Sequence, residues 1–342
     1  MIETVNLKNF TAFKELEVGC SSGINVFVGE NGTGKTHLLK LVYAACEFSK
    51  SEDDVFYNLL HSIFKPNKVG GLIRKGPTED SSVSFRADDK ANGFKCSLSL
   101  IRENPPSLAT GINPSMKAWK ERTRNAVYIP VKEMLSNAPG FRSLYSAREI
   151  AFEKVYADII DKALLPPLKN GGTSGFSSIL ETLQQALGGK IEQSDESFYL
   201  DTPEYKLEFM LLAEGLRKLG LFWLLIRNGS LAKGAVLCWD EPEANLNPRL
   251  MKTVVEILLK LQRMGVQIFL ATHSYVLLKE FDLQSQPSYE IRFHAFSNDD
   301  ETQSVKVEST NDYLQINPNA IAGTFADLYD RDIERTLQRG RK

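Results

Sequence analysis

The octapeptide Gly29-Glu30-Asn31-Gly32-Thr33-Gly34-Lys35-Thr36 fits the pattern G-x-x-x-x-G-K-[ST], between an apolar strand-like run and a helical one. Glycines at these spacings let backbone N–H groups close around phosphate oxygens. The Lys35 ammonium then reaches the β- and γ-phosphates, and the Thr36 hydroxyl holds Mg²⁺ at a helix N-terminus, with His37 following in the same turn. A second group is Val236-Leu237-Cys238-Trp239-Asp240-Glu241, an apolar run that ends in two acids. A strand buried on both faces reads this way. Asp240 at its end would hold Mg²⁺ directly or through water, and Glu241 would polarise an attacking water as general base. A third is His273, at the end of the apolar run 268–272. A lone histidine at a strand end is more often structural, but the Thr272-His273-Ser274 setting after the last core strand favours a functional reading. All three would share the carboxyl edge of one α/β sheet, where open sheets bind ligands. Phosphoryl transfer is mainly positioning and charge neutralisation, so a lysine, a metal and a water-orienting acid supply most of what it needs.

The elements that must position these groups follow from periodicity. Strands are predicted at 4–7, 16–18 and 24–28, then a helix after Lys35 carrying Leu38, Leu39, Val42 and Cys46 on its apolar side. From 51 to 125 the pattern weakens. Pro66, Gly70, Gly71, Gly76 and Pro77 break the chain, and 83–86 with 94–100 form a hairpin around Asp88-Asp89-Lys90, so this stretch reads as an insertion or lid. A strand is expected at 126–130. Ser146-Ala147-Arg148-Glu149 reads as a capping box starting a helix with Phe152, Val155, Tyr156, Ile159, Ile160 and Ala163, stopped by Pro166-Pro167. A second amphipathic helix runs from about 174 to Gly188-Gly189. The last third alternates: helix from Leu212, strand 235–239, helix from Pro248, strand 266–271, then a strand pair near 290–296 and 305–308 and a helix with Phe325, Leu328, Tyr329, Ile333 and Leu337. Asp299-Asp300-Glu301 reads as the polar turn of that last hairpin. The sum is an α/β sheet with helical crossovers.

Composition bounds the alternatives. The 342 residues carry 41 Lys+Arg against 43 Asp+Glu, a formal charge of −2, so no global basic footprint for nucleic acid exists. With 42% apolar residues, 10% aromatics and a mean hydropathy of −0.23, wholesale disorder is excluded. Cys20, Cys46, Cys96 and Cys238 form no C-x-x-C pair, which argues against a zinc site and a disulfide framework and for a reducing compartment. The start Met1-Ile2-Glu3-Thr4 places an acid where a secretory leader needs bases. The apolar stretch at 221–226, flanked by Arg217, Lys218 and Arg227, is far short of the roughly 20 residues a spanning helix requires. A cytoplasmic protein without membrane contact is expected.

The residues also carry a family resemblance. Gly29 to Thr36, Ala213-Glu214-Gly215 opening an apolar helix, Asp240-Glu241-Pro242-Glu243-Ala244-Asn245-Leu246-Asn247-Pro248 and Ala271-Thr272-His273-Ser274 resemble an ABC-type ATPase. More narrowly, the chain is similar to the prokaryotic ATP-binding proteins of the AAA-domain group, relatives of SMC heads and of the ATPase half of OLD-family nucleases. Leu7-Lys8-Asn9-Phe10-Thr11-Ala12-Phe13 and Ile129-Pro130-Val131-Lys132-Glu133-Met134-Leu135 are similar to what that group shows. The resemblance covers nearly the whole chain. It implies a P-loop NTPase fold, an ABC-ATPase head with an N-terminal β-subdomain and an inserted helical subdomain. As one head it divides into 1–50 (strands and phosphate loop), 51–125 (insertion), 126–210 (helical subdomain), 211–285 (signature to switch histidine) and 286–342 (hairpin and helix).

The resemblance further implies roles. Asn245 to Asn247 would be the D-loop, His273 the switch histidine sensing the γ-phosphate, and Leu212 to Gly215 the signature presented to the nucleotide of a second subunit. Two ATP molecules with Mg²⁺ would then join a head-to-tail C₂ homodimer. Transporters and SMC-like heads usually carry Ser-Gly-Gly in the signature; here Ala213-Glu214-Gly215 lacks the hydroxyl. Slow or partner-activated hydrolysis is the expectation. No Q-loop glutamine stands out between His37 and Asn125.

The stretch from Gly34 to Gly215 is long for a transporter ATPase and far too short for an SMC coiled-coil arm, and the chain beyond His273 is too short for a TOPRIM nuclease. This favours a stand-alone ATPase that dimerises on ATP and gates a separately encoded effector, as in prokaryotic defence or toxin-linked systems. A rival is an SMC-like DNA-repair ATPase, suggested by Lys117-Ala118-Trp119-Lys120-Glu121-Arg122-Thr123-Arg124 and by Lys65, Lys68, Arg74 and Lys75. A transporter subunit is disfavoured by the signature.

Overall fold

The computed structural model describes residues 1–51, 56–74, 81–87, 93–98, 119–148, 150–168, 174–299 and 304–339. Strands β1 (Ile2–Phe10) and β2 (Phe13–Gly19) pair antiparallel, with Val5 opposite Val18 and Leu7 opposite Leu16, all four buried. β3 (Ile24–Gly29) is buried along its whole length and leads through the glycine-rich loop into α1 (Lys35–Phe48). Helix α1 buries Leu38, Leu39, Val42 and Cys46 as the spacing predicts, and also Leu41, Tyr43, Ala44 and Ala45. It is covered nearly all round because it packs against the central sheet on one side and the N-terminal elements on the other. α2 (Phe56–Phe64) closes on it through an edge contact between Phe48 and Phe56 at 5.3 Å.

The hairpin in the 51–125 stretch exists, as β4 (Ser81–Ala87) and β5 (Gly93–Leu98), and its turn at Asp88-Asp89-Lys90 lies outside the described residues, as do Gly76, Pro77 and Lys75. It does not stand apart as a lid. β4 pairs with β1, giving a four-stranded sheet in the order β2-β1-β4-β5. The basic stretch that follows also turns inward. Trp119 is fully buried, its indole N–H donates to the Ala45 carbonyl at 2.9 Å, and the Arg124 guanidinium lies 3.7 Å from its ring centroid. The aromatic of that basic stretch is thus spent in the core; Lys117 and Ala118 lie outside the described residues.

β6 (Ala126–Ile129) joins the central sheet. After it come α3 (Phe141–Ala147), α4 (Lys154–Ala163) and α5 (Ser177–Leu187, ending at Gly188 with φ 71), then a small antiparallel sheet of β7 (Lys190–Ser194), β8 (Ser197–Asp201) and β9 (Lys206–Glu208). The inserted subdomain is therefore not purely helical. The capping-box reading is wrong: Ser146 lies inside α3, its hydroxyl donating to the Arg142 carbonyl at 2.8 Å, and α4 starts at Lys154 after Glu153. Glu149 lies outside the described residues. Gly140, at φ 74, starts a helix earlier, and Phe141 anchors it edge-on to Phe152 at 5.3 Å. Tertiary packing overrides the local signal there.

The chain continues through α6 (Glu214–Arg227), β10 (Val236–Asp240), α7 (Met251–Arg263), β11 (Gln267–Thr272), α8 (Tyr275–Gln284), β12 (Ile291–Asp299), β13 (Ser304–Thr310) and α9 (Ala320–Arg339). The central sheet has the order β13-β12-β3-β11-β10-β6, parallel except for β13. Alternation divides its side chains between two cores. Ile24, Val26, Leu237, Trp239, Ile268 and Leu270 face α6 and α7, whereas Phe27, Val236, Cys238, Phe269 and Ala271 face α1 and the N-terminal sheet. The parallel strands all end at one edge. Asp299 ends β12 and pairs with Lys306 at 2.7 Å, while Asp300 and Glu301 lie outside the described residues. Among the described residues no helix is long and apolar enough to cross a membrane.

Candidate nucleotide-binding site

The phosphate loop is fixed by close approaches that only glycine permits. At Gly29 (φ 147) a Cβ would lie 2.2 Å from the Phe296 carbonyl oxygen of β12, and at Gly34 (φ 84) it would lie 2.5 Å from Phe13 Cζ. Gly34 caps α1 without any side-chain bond to the first-turn N–H groups, which leaves them for an anion, where the helix dipole also favours negative charge. The Thr33 hydroxyl braces the loop by donating to the Glu30 carbonyl at 2.8 Å. Lys35 Nζ donates to the carbonyls of Gly29 and Glu30, both at 2.7 Å. Burial holds the Lys35 ammonium below its usual pKa, against the charges of Asp240, Glu241, Glu243 and Glu30.

Opposite the loop, β10 delivers Asp240, 4% exposed. Its Oδ1 accepts from Thr36 Oγ1 at 3.0 Å and its Oδ2 from the Tyr128 hydroxyl of β6 at 3.2 Å. Burial pushes its pKa up to about 6; the Thr36 bond opposes this, the Glu241 charge adds to it, and the Tyr128 bond and Lys40 oppose it. Glu241 has left the strand at φ 47, with its N–H on the Ala271 carbonyl at 3.0 Å. That left-handed geometry, costly for a residue with a Cβ, aims Glu241 Oε1 at His273 Nε2, 2.8 Å away. His273 follows β11, and its backbone N–H donates to Glu243 Oε1 at 2.8 Å. His37 sits on α1 with its ring 5.7 Å from that of Phe64; burial first, then Lys40, lowers its pKa to about 4 and keeps it neutral.

Of the expected residues, Asn31, Gly32, Gly34, Lys35, Thr36, His37, Asp240, Glu241 and His273 line one cavity of about 250 Å³. Gly29 and Glu30 line an adjoining open cavity that shares Asn31 and His273 and is also lined by Ile321 and Phe325 of α9. Ala213, Glu214, Gly215 and Asn245 are not brought into either. They form a separate clasp: Asn245 (φ 58) donates through Nδ2 to Glu214 Oε2 at 3.0 Å, and a Cβ on Gly215 would lie 2.9 Å from Leu246 Cδ1. Ala213 caps α6 without a side-chain bond. Lys218, 1% exposed, donates to the Ala244 carbonyl at 2.5 Å. The buried carboxylate of Glu133, in the loop after β6, lies 2.7 Å from Arg217 Nε of α6. Sequence reasoning assigned no role to Tyr128, Glu243 or Lys218.

The donor set fits Mg²⁺ carried with a nucleotide. A hydroxyl and a buried carboxylate 3.0 Å apart at a helix N-terminus supply hard oxygens, and Mg²⁺ takes its other positions from water and phosphate. Among the described residues no three His, Cys, Asp or Glu gather as a metal cluster, and Mg²⁺ bound this way needs none.

Known proteins are similar to this chain at three levels. Solved Smc heads share its fold: one bound to the C-winged helix domain of ScpA has a TM-score of 0.58 at 16% identity, covering 90% of this chain and 97% of that one. A Pyrococcus furiosus Smc head with an extended coiled coil, bound to the C-terminal domain of ScpA, has 0.56 at 14%, covering 100% and 99%. The SMC head domain from Thermotoga maritima has 0.51 at 14%, covering 90% and 98%. The fold is that of a P-loop NTPase of the SMC-head and ABC-ATPase type. Among curated proteins, the DNA replication and repair protein RecF of Cytophaga hutchinsonii is 51% identical over 45 residues, 13% of this chain and 12% of RecF. RecF of Idiomarina loihiensis is 34% identical over 94 residues, 28% and 23%. The chain thus spans less than a third of the length of these relatives. The profile of the family described as "AAA domain, putative AbiEii toxin, Type IV TA system" matches residues 24–279. This chain belongs to that family of AAA-domain ATPases.

Proposed function

We propose that this chain is a cytoplasmic ATPase that binds ATP with Mg²⁺, hydrolyses it, and closes on ATP into a head-to-tail homodimer whose state gates a separately encoded effector. The observation that carries the reading is the side-by-side placement of the Thr36–Asp240 and Glu241–His273 pairs at one cavity below the start of α1. Lys35 and the α1 N–H groups hold the β- and γ-phosphates, exchanging loop carbonyls for phosphate oxygens. Thr36 and Asp240 hold Mg²⁺, which when bound neutralises charge on the phosphates. Glu241 orients the attacking water and accepts its proton, and His273 fixes the Glu241 carboxylate. Glu214 is the first residue of α6, so the signature of a second copy presents the α6 N-terminus with a carboxylate beside it, and turnover is slow until a partner moves it. The family description names a putative toxin of a type IV toxin–antitoxin system, which supports a place for this chain in such a two-component system.

The test is Mg²⁺-dependent phosphate release with size measurement in solution. Glu241→Gln is expected to lose turnover by on the order of 100- to 10,000-fold, to keep ATP binding and to accumulate as an ATP-bound dimer. Unchanged turnover removes Glu241 as base, and a monomer at saturating ATP removes the dimer. A second reading, ATP-dependent DNA binding, is favoured by the RecF matches; DNA affinity that tightens with ATP would decide for it.

A further inference from the structure

Resting on the ATPase reading, we propose that Glu243 is a positioning residue for His273 and the element through which movement of the D-loop reaches the site. Its Oε1 accepts two donors at once, Thr272 Oγ1 and the His273 N–H, both at 2.8 Å. His273 is therefore held at two points, its backbone by Glu243 and its ring by Glu241 Oε1. The two glutamates belong to one tight turn: the Glu241 carbonyl accepts from Ala244 N and the Glu243 carbonyl from Leu246 N, each at 3.0 Å, around a buried Pro242. That turn is tied to α6 by Lys218 on the Ala244 carbonyl and by Asn245 on Glu214. A shift of α6 or of the turn must therefore move Glu243, and with it the position of His273 relative to Glu241. Lys218, within electrostatic reach of Glu214, Glu243, Glu241 and Glu133, compensates the carboxylates gathered there.

The test uses the full chain with Glu243→Ala, Glu243→Gln and Thr272→Val. In hydrogen exchange on the nucleotide-free protein, the His273 amide is expected to exchange at least about tenfold faster in Glu243→Ala, with the amides of 267–271 unchanged. Glu243→Gln keeps an acceptor oxygen and is expected to retain protection. In steady state, Glu243→Ala is expected to lower kcat by on the order of 10- to 100-fold with the ATP KM within about threefold. Glu243→Gln should recover most of it and Thr272→Val, which removes one of the two donors, should fall between.

A carboxylate that merely stabilised the end of β11 would move the melting point while leaving kcat and KM alone, or would move both together. That result, or Gln behaving as Ala does, overturns the proposal. If Glu243→Ala does not fold, Thr272→Val and Glu243→Gln carry the comparison: equal kcat in all folded variants overturns it. Absence of turnover in the unsubstituted chain overturns the ATPase reading, and the catalytic part of this proposal with it. An unprotected His273 amide in that chain overturns the positioning part alone.

Discussion

Asp240 is under opposite demands. To hold Mg²⁺ it must be charged, yet it is 4% exposed and burial lifts it to about 6. The hydroxyls of Thr36 and Tyr128 work against that lift by donating one bond to each carboxylate oxygen. Tyr128 never touches the ligand in this scheme but sets the orientation and charge of a residue that does. Tyr128→Phe is expected to weaken Mg²⁺-dependent ATP binding about tenfold, the low end of what partners of metal ligands contribute. Titration of Mg²⁺ into protein with ATP near neutral pH reads this directly, and affinity within about twofold of the unsubstituted chain would remove Tyr128 from the site. Gly34 is constrained twice, by its φ of 84 and by Phe13 Cζ at 2.5 Å from any Cβ. Gly34→Ala should cost about 2 kcal/mol or more from the left-handed backbone and the clash together. Adding Phe13→Leu should return only the steric share, and a double-mutant cycle by denaturant unfolding measures how much.

At the scale of elements, the seam between β3, β12 and β13 is stitched by His294, whose Nδ1 meets Ser309 Oγ at 2.8 Å and whose Nε2 meets Asn25 Oδ1 at 3.3 Å. Burial, and then the charge of Arg292, lowers its pKa from 6.5 to about 3. Between those values the unfolded chain binds a proton that the folded chain refuses. Stability therefore falls as pH drops below 6.5, at up to about 1.4 kcal/mol per unit, and this contribution is flat above it. His294→Gln should remove its share of the slope of unfolding free energy between pH 6.5 and 4.5, leaving the share of His37, which burial lowers to about 4; an unchanged slope would place the loss elsewhere. The same scale explains what was legible in the sequence. α1, β10 and β11 read correctly because they are long or fully buried, so tertiary context and local pattern agree. The cavity-lining residues were legible because they sit in three short contiguous motifs. β7 to β9 are too short to show a period, and the inward turn of Trp119 depends on the carbonyl of Ala45 across the fold. Tyr128 and Asp240 are 112 positions apart, and no local pattern carries such a contact.

For the whole molecule the decisive quantity is how its cations are used. With a formal charge of −2, DNA affinity would have to come from a local stripe of basic residues. Several of the cations that could build one are committed inward: Lys35 to the loop, Lys218 to the carboxylates under α6, Lys40 to Glu153 at 2.7 Å, and Arg124 to the face of Trp119. Effector gating then predicts DNA binding no tighter than the roughly 10⁻⁴ to 10⁻⁶ M of non-specific contacts at physiological salt, with no gain from ATP. Fluorescence anisotropy with single- and double-stranded DNA between 50 and 200 mM salt, using Glu241→Gln with and without ATP, tests this. A protein making six to ten phosphate contacts would lose about 10³- to 10⁵-fold over that range. Such a slope, together with affinity that rises with ATP, would mean that the proposed dimer assembles a basic groove from two copies that neither presents alone. The chain would then act on DNA as its RecF relatives' name implies. A shallow slope that ignores ATP leaves the proposed ATP-driven closure with no nucleic acid to act on, and directs it to a protein.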